Sequence, residues 1–165
     1  MTVYAANKLI AQARVLAAEY RRTMGKPLPG ISNEIAEFDA LKLLQLEPNT
    51  EGEGGYGAID PARGNKRIQI KSRTIFDESK SGQRIGQLKL DKSWDSVVLV
   101  LMDEEYEPYE IYEAERDDIL EFIDKSSGNR AKRGAMSVAR FKIISRLVWT
   151  KENGLEPEIW DNQAD

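Results

Sequence analysis

A carboxylate, an amide and an ammonium group occur at a spacing that could support catalysis. Gln69 and Lys71 lie two residues apart in RIQIKSR (67–73), a segment whose composition is typical of a β-strand. Side chains two residues apart on a strand point to the same face, so these two groups are expected side by side. The preceding segment YGAID (56–60) is predicted to form a hairpin with it, and this hairpin would bring Asp60 to the same place.

Together these groups would suit the hydrolysis of a phosphodiester. Asp60 could bind a divalent cation, with the side-chain oxygen of Gln69 or the main-chain carbonyl of Ile70 completing the coordination. The metal would lower the pKa of a bound water, and Lys71 would orient that water and neutralise developing charge. A purely structural alternative stays open, because Asp60 before Pro61 is also a good start to a type I turn.

The chain contains neither histidine nor cysteine. This composition excludes Ser-His-Asp and Cys-His catalysis, histidine general bases and the usual zinc sites. A metal cofactor would therefore be a hard cation held by oxygen ligands, and Mg²⁺ or Mn²⁺ is expected.

Charge is unevenly distributed along the chain, although the formal net charge is −4. Residues 63–92 contain nine Lys/Arg and three Asp/Glu, and residues 125–146 contain seven Lys/Arg and no acid. Residues 103–124, between these blocks, contain eleven acids and one arginine. Two basic blocks predict one basic face that could contact nucleic acid. The residues expected on that face are Arg63, Lys66, Arg73, Arg130, Lys132, Arg133, Arg140 and Lys142.

Hydrophobic periodicity predicts the elements that must position these groups. The predicted order is two helices, four strands and two helices, with a partial strand possible inside the last helix. Ser32 is the predicted N-cap of the second helix. The predicted helices are 2–24, 32–46, 116–125 and 136–149, and the predicted strands are 56–60, 67–73, 96–102 and 108–114.

This order predicts an α/β (α+β) fold in which helices flank a central mixed sheet of four to five strands. One domain is expected over residues 1–150, with a long N-terminal helix (1–25) appended to it and an acidic tail at 151–165. No apolar run approaches the ~18 residues of a membrane span, so no membrane partner is expected. The first residues lack the order of a secretion signal, and a cytoplasmic location is expected.

The segment GYGAIDPARGNKRIQIKSR resembles the signature of the PD-(D/E)XK nuclease superfamily. Eight residues separate Asp60 from Gln69-Ile70-Lys71. The resemblance covers residues 32 to about 112 and implies a restriction-endonuclease-like core, dependence on Mg²⁺ and a nucleic-acid substrate. The superfamily often adds a glutamate on the helix before the first strand, and the resemblance offers Glu34 and Glu37 as candidates.

Two positions depart from the pattern of the superfamily. Ile59 stands where a proline precedes the aspartate, and Gln69 replaces the second acid, as in QxK variants. A neutral Gln69 removes one negative charge from the metal site, which weakens cation binding unless Glu34 or Glu37 replaces it.

The sequence therefore predicts a Mg²⁺-dependent endodeoxyribonuclease of a restriction, repair or phage-defence type. An alternative is a nucleic-acid-binding module that keeps a degenerate nuclease fold without catalysis. A third is a protein–protein module in which the basic blocks pair with the acidic block. A homodimer is a further expectation, because two chains are needed to cut two strands with one site per chain.

Overall fold

The computed structural model describes residues 2–52, 54–77, 82–125 and 135–156. Within these ranges the helices are α1 (Val3–Met24), α2 (Ile31–Leu43), α3 (Arg116–Lys125) and α4 (Val138–Ile144). The strands are β1 (Glu47–Pro48), β2 (Ala58–Asp60), β3 (Lys66–Thr74), β4 (Ser96–Met102), β5 (Pro108–Glu115), β6 (Arg146–Thr150) and β7 (Gly154–Leu155). A 3₁₀ turn, Pro61–Arg63, joins β2 to β3.

The described strands form one sheet in the order β1-β2-β3-β4-β5-β6-β7. The β3–β4 pair is parallel and the other neighbouring pairs are antiparallel, so the predicted mixed α+β architecture is confirmed. The sheet is larger than the predicted four to five strands, because the two-residue strands β1 and β7 extend its edges. Strand β7 lies in the predicted acidic tail, and residues 157–165 of that tail lie outside the described part.

The long N-terminal helix forms as its end residues predict. The side chain of Thr2 accepts a hydrogen bond from the N–H of Ala5 at the start of α1. Gly25 ends α1 with a φ of 73°, in the left-handed region where glycine is favoured. In the described part of the chain, no helix combines the length and apolar character needed to cross a membrane.

Two predicted helices differ from the observed elements, and α2 also ends at Leu43 rather than at residue 46. Helix α2 begins at Ile31, one residue before the predicted start. Gly30 is therefore its N-cap, and Ser32, the predicted N-cap, lies inside its first turn. The predicted helix 136–149 divides into α4 and β6, with Ser145 between them. The β-branched residues near its end favour a strand, and β6 corresponds to the partial strand that the sequence allows there.

The two faces of the sheet each carry an apolar core. Strand β4, SVVLVLM, is buried along its whole length and contributes alternate residues to both cores. We call one side the α1/α2 face, where Ile68, Val98, Val100 and Ile111 pack with the first two helices. We call the other side the α3/α4 face, where Val97, Leu99, Ala114, Ile119 and Phe141 pack together.

Candidate functional site

The register between β2 and β3 separates Asp60 from Lys71. Asp60 pairs with Lys66, and Ala58 pairs with Ile68, so Asp60 shares the α1/α2 face with Ile68. Lys71 is an odd number of residues from Lys66 on the same strand and lies on the opposite face. The predicted cluster of Asp60 with Gln69 and Lys71 is therefore wrong, although Ile68 does face the core as expected.

Asp60 stabilises the turn that follows it. Its Oδ1 accepts a hydrogen bond from the N–H of Ala62 at 3.0 Å. Its Oδ2 accepts one from Nε of Arg63 at 2.6 Å, and the aspartate is almost fully buried. These contacts match the structural alternative for Asp60, a cap of the hairpin turn, and they leave both carboxylate oxygens engaged.

Glu113 is a buried acid at the centre of this ion-pair group. Arg63 donates to both of its oxygens at 2.9 and 3.0 Å, and Ser96 donates to Oε2 at 2.6 Å. Burial alone would raise the pKa of Glu113, but the hydrogen bonds from Arg63 and Ser96 outweigh it and hold the pKa below its ordinary value. The group is an internal support between β2, β4 and β5.

Two cations predicted on a nucleic-acid face belong to this group instead. Arg63 is shared between Asp60 and Glu113, and Lys66 contacts Glu115. Both lie on the side of the sheet away from Lys71, so their predicted place around a common cluster is wrong. The register of the hairpin is the cause, because it directs Asp60 and Lys66 to the same face.

Three of the predicted site residues do meet in a cleft beside β3, which we call the Lys71 cleft. Glu37, Gln69 and Lys71 line it, together with the backbone of Ile70 and the loop before β2. The other lining residues are Asn49, Gly52, Gly54, Gly55, Tyr56, Gly57 and Lys89. The expected proximity of Gln69, Lys71 and one of the two helix glutamates is therefore found without Asp60.

Two lysines give the Lys71 cleft its electrostatic character. Lys71 is half-buried, and its Nζ donates to the carbonyl oxygen of Gln87 at 3.0 Å. Burial lowers the pKa of Lys71, and the nearby charge of Lys89 lowers it further. Within the described ranges neither lysine forms a salt bridge.

Gln69 contributes a buried amide group beside the cleft. Its side chain is only 4% exposed, and its Oε1 accepts a hydrogen bond from the N–H of Lys89 at 3.4 Å. The amide nitrogen is buried and has no hydrogen-bond partner in the described part of the molecule. A buried donor without a partner carries a desolvation cost of about 1–3 kcal/mol, which an acceptor on a ligand would offset.

Glu37 supplies a carboxylate on the opposite wall, from α2. Burial raises the pKa of Glu37, and the charge of Glu34 on the same helix raises it further. Glu34 does not line the cleft, so of the two acids Glu37 is the one that faces it. A Cβ on Gly57 would lie 3.7 Å from Oε1 of Glu37, which leaves the space between them open.

The donor set of the Lys71 cleft fits a divalent cation poorly. Glu37 is the one carboxylate that lines it among the described residues, and Gln69 and the carbonyl of Ile70 are neutral ligands. No group of three or more acids suited to a metal occurs in the described part of the chain. Two ammonium groups and a free amide donor match an anion better than a cation.

The remaining predicted contact residues are dispersed. Arg73 is exposed on the same face of β3 as Lys71. Arg140 lies over the ring of Phe122, and Lys142 is 3.7 Å from Glu110, so both contact α3/α4-face side chains away from the cleft. The other three predicted contacts, Arg130, Lys132 and Arg133, lie outside the described residues.

Sequence reasoning missed Lys89 and Gly57. Lys89 belongs to the first basic block, but no periodicity marks it, since the connection between β3 and β4 carries it to the cleft. Gly57 lies inside the predicted strand 56–60, where a glycine can signal close approach of another group.

Comparison of the sequence with protein-family models found no match, and comparison with curated proteins found none either.

Proposed function

We propose that this protein binds nucleic acid, with a backbone phosphate held in the Lys71 cleft. The observation that carries the proposal is the meeting of Lys71 and Lys89 in one cleft, where two ammonium groups outnumber the single carboxylate of Glu37 and neither lysine forms a salt bridge among the described residues. Two like charges kept close together are stabilised by an anion between them. Backbone phosphates receive half to two-thirds of the hydrogen bonds in protein–DNA complexes, so a phosphate is the expected anion.

Further donors favour a polymer over an isolated phosphate ion. Arg73 extends the positive charge along β3, two residues beyond Lys71. The amide nitrogen of Gln69 is buried and without a partner among the described residues, so it reaches a phosphate oxygen only if the side chain turns toward the cleft, which would then remove its desolvation cost. In this proposal Lys71 and Lys89 bind charge, Gln69 orients the phosphate, and Asp60 acts only in the fold.

Binding of fluorescent duplex, single-stranded and branched DNA, measured by anisotropy at low salt, tests the proposal. Lys71→Gln and Lys89→Gln are each expected to weaken binding about 10- to 100-fold, as the loss of one charge-assisted hydrogen bond requires. Each variant should also lower the slope of log K against log salt by about one. Lys125→Gln, an exposed lysine of α3, is the matched control.

The outcome separates nucleic acid from simpler anions. Binding that is absent at low salt, or that ignores salt, would contradict the proposal, because phosphate contacts release counterions. Competition by inorganic phosphate at concentrations equal to those of DNA phosphate would indicate a site for the free anion instead.

Metal-dependent hydrolysis of DNA is the second candidate, as expected from the QxK resemblance. The position of Glu37 beside Gln69 and Lys71 favours it. Its test is cleavage of DNA with Mg²⁺ or Mn²⁺, with Ca²⁺ as the non-catalytic comparison. Glu37→Gln should abolish such cleavage, whereas Asp60→Asn should leave the rate of the folded protein unchanged. If DNA is bound but not cleaved with any of these metals, the protein is a nucleic-acid-binding module without catalysis.

A further inference from the structure

The solvent face of α1 carries an exposed apolar surface. Tyr4, Leu9, Val15 and Leu16 are 78%, 53%, 57% and 54% exposed, respectively. The opposite side of the same helix is anchored in the core by residues that include Ala17 and Ala18, which are fully buried. Large apolar side chains grouped on one face of a helix are typical of a surface that contacts another protein.

Two opposite charges bracket a shallow groove on this face. The groove is lined by Lys8, Ala11, Gln12, Val15, Leu16 and Glu19. Lys8 and Glu19 are eleven residues apart, about 16 Å along a helix at 1.5 Å per residue. Neither forms a salt bridge in the part of the chain that the structure describes.

This pattern is complementary to itself when the helix is reversed. A two-fold axis that crosses α1 between residues 13 and 14 would bring Lys8 of one copy opposite Glu19 of the other, twice. The same axis would bring Ala11 opposite Leu16, where a small side chain faces a large one. A parallel pair would instead oppose Lys8 to Lys8, so the charges select the antiparallel arrangement.

We propose that a second copy of this chain docks on the exposed face of α1 as an antiparallel, two-fold symmetric helix pair. At its centre Leu16 packs on Ala11 of the other copy and Val15 packs on the aliphatic part of Gln12, and the two Lys8–Glu19 contacts at its ends fix its register. No residue of α1 lines the Lys71 cleft, so both clefts of the dimer remain open. The dimer therefore stands independently of the proposed nucleic-acid function.

Sedimentation equilibrium of the full chain, from about 1 µM to about 1 mM, tests this interface. Wild type is expected to form a dimer within this range. Lys8→Glu and Glu19→Lys should each weaken dimerisation about 10-fold, because symmetry converts two attractive pairs into two repulsive ones. The double reversal Lys8→Glu/Glu19→Lys should restore the dissociation constant to within about 3-fold of wild type.

Two further variants keep the test decisive. Leu16→Glu should abolish dimerisation without unfolding the chain, because its side chain is more than half exposed in the isolated molecule. Lys26→Glu, an exposed lysine beyond α1, should have no effect. A wild type that stays monomeric throughout, a double reversal as weak as the single variants, or a dimer that survives Leu16→Glu would each overturn the proposal.

Discussion

Oδ2 of Asp60 accepts a hydrogen bond from Nε of Arg63 at 2.6 Å, on the face of the sheet opposite to Lys71. The carboxylate that the sequence offers as a metal ligand is thus a structural acid. Asp60→Ala is therefore expected to lower the free energy of unfolding by about 1–3 kcal/mol, from the lost cap and ion pair. Urea unfolding at pH 7 measures this change.

The same variant separates a structural role from a functional one. Nucleic-acid affinity of folded Asp60→Ala should equal that of wild type. Asp91→Ala, an exposed acid in the connection between β3 and β4, is the control and should leave stability unchanged. Full stability of Asp60→Ala together with lost binding would show that the acid acts at the ligand after all.

Glu113 should make the fold sensitive to acid. Its pKa is held below the ordinary value in the folded state, so its stabilising effect is present above pH about 4.3 and is lost as the pH falls through the folded pKa. Glu113→Gln should lower the free energy of unfolding by about 2–4 kcal/mol at pH 7, since the neutral amide leaves Arg63 partly uncompensated. Urea unfolding at pH 7 and at pH about 3 measures both effects.

The pH dependence distinguishes the acid from its neighbours. The difference between wild type and Glu113→Gln should shrink at the lower pH, because below pH about 4.3 the unfolded wild-type chain takes up a proton at Glu113 more readily than the folded chain does. Glu115→Gln changes an exposed acid that contacts Lys66, and its effect should be below about 1 kcal/mol at both pH values. An equal difference at both pH values would contradict the assigned charge of Glu113.

Gly57 is the position at which a second carboxylate would convert the cleft into a cation site. The φ of Gly57 is not positive, so a side chain there is not strained. A Cβ added to it would have no neighbour nearer than Oε1 of Glu37, at 3.7 Å. Gly57→Asp should therefore be accommodated and should give Mn²⁺ two carboxylates beside Gln69. Calorimetric titration with Mn²⁺ should show binding that is at least 10-fold tighter than in wild type.

A neutral variant of the same shape controls for packing. Gly57→Asn adds the same number of atoms without charge, and its affinity for Mn²⁺ should stay at the wild-type level. In the absence of metal, Gly57→Asp should be the less stable of the two, because its carboxylate would repel Glu37. Equal Mn²⁺ affinity of the two variants would show that position 57 does not face the cleft.

The sequence predicts the elements of this fold better than it predicts the site. Strand β4 and helix α3 follow from composition and periodicity, and both were predicted at or near their observed bounds. Alternation along one strand also placed Gln69 and Lys71 together correctly. The position of Asp60 required the register between two strands, and a slip of one residue reverses the face of every side chain. No local pattern in PARGNK specifies that register.

As the pH rises, nucleic-acid binding should begin to weaken at a lower pH than it would at a site built on an exposed lysine. Burial and the charge of Lys89 lower the pKa of Lys71, so the ammonium group loses its proton before an exposed lysine does. Affinity at constant salt should therefore fall as the pH rises from 7 towards 10. Anisotropy titrations across this range measure the fall.

Arginine at the same position provides the control for this titration. Lys71→Arg keeps its charge over the whole range, so its affinity should change less with pH than that of wild type. A wild-type affinity as constant as that of Lys71→Arg would mean that Lys71 does not contribute charge to the bound phosphate.

The parallel pairing of β3 with β4 has a consequence for how the molecule folds. Ile68 pairs with Ser96, whereas the β2–β3 hairpin joins residues much closer in sequence. Closing the longer loop costs more chain entropy, so non-local pairings of this kind form more slowly than local ones. Lys89 and the carbonyl of Gln87 reach the cleft only through that loop. A chain in which only the hairpin and α2 had formed would therefore lack Lys89 and the carbonyl of Gln87 beside Lys71.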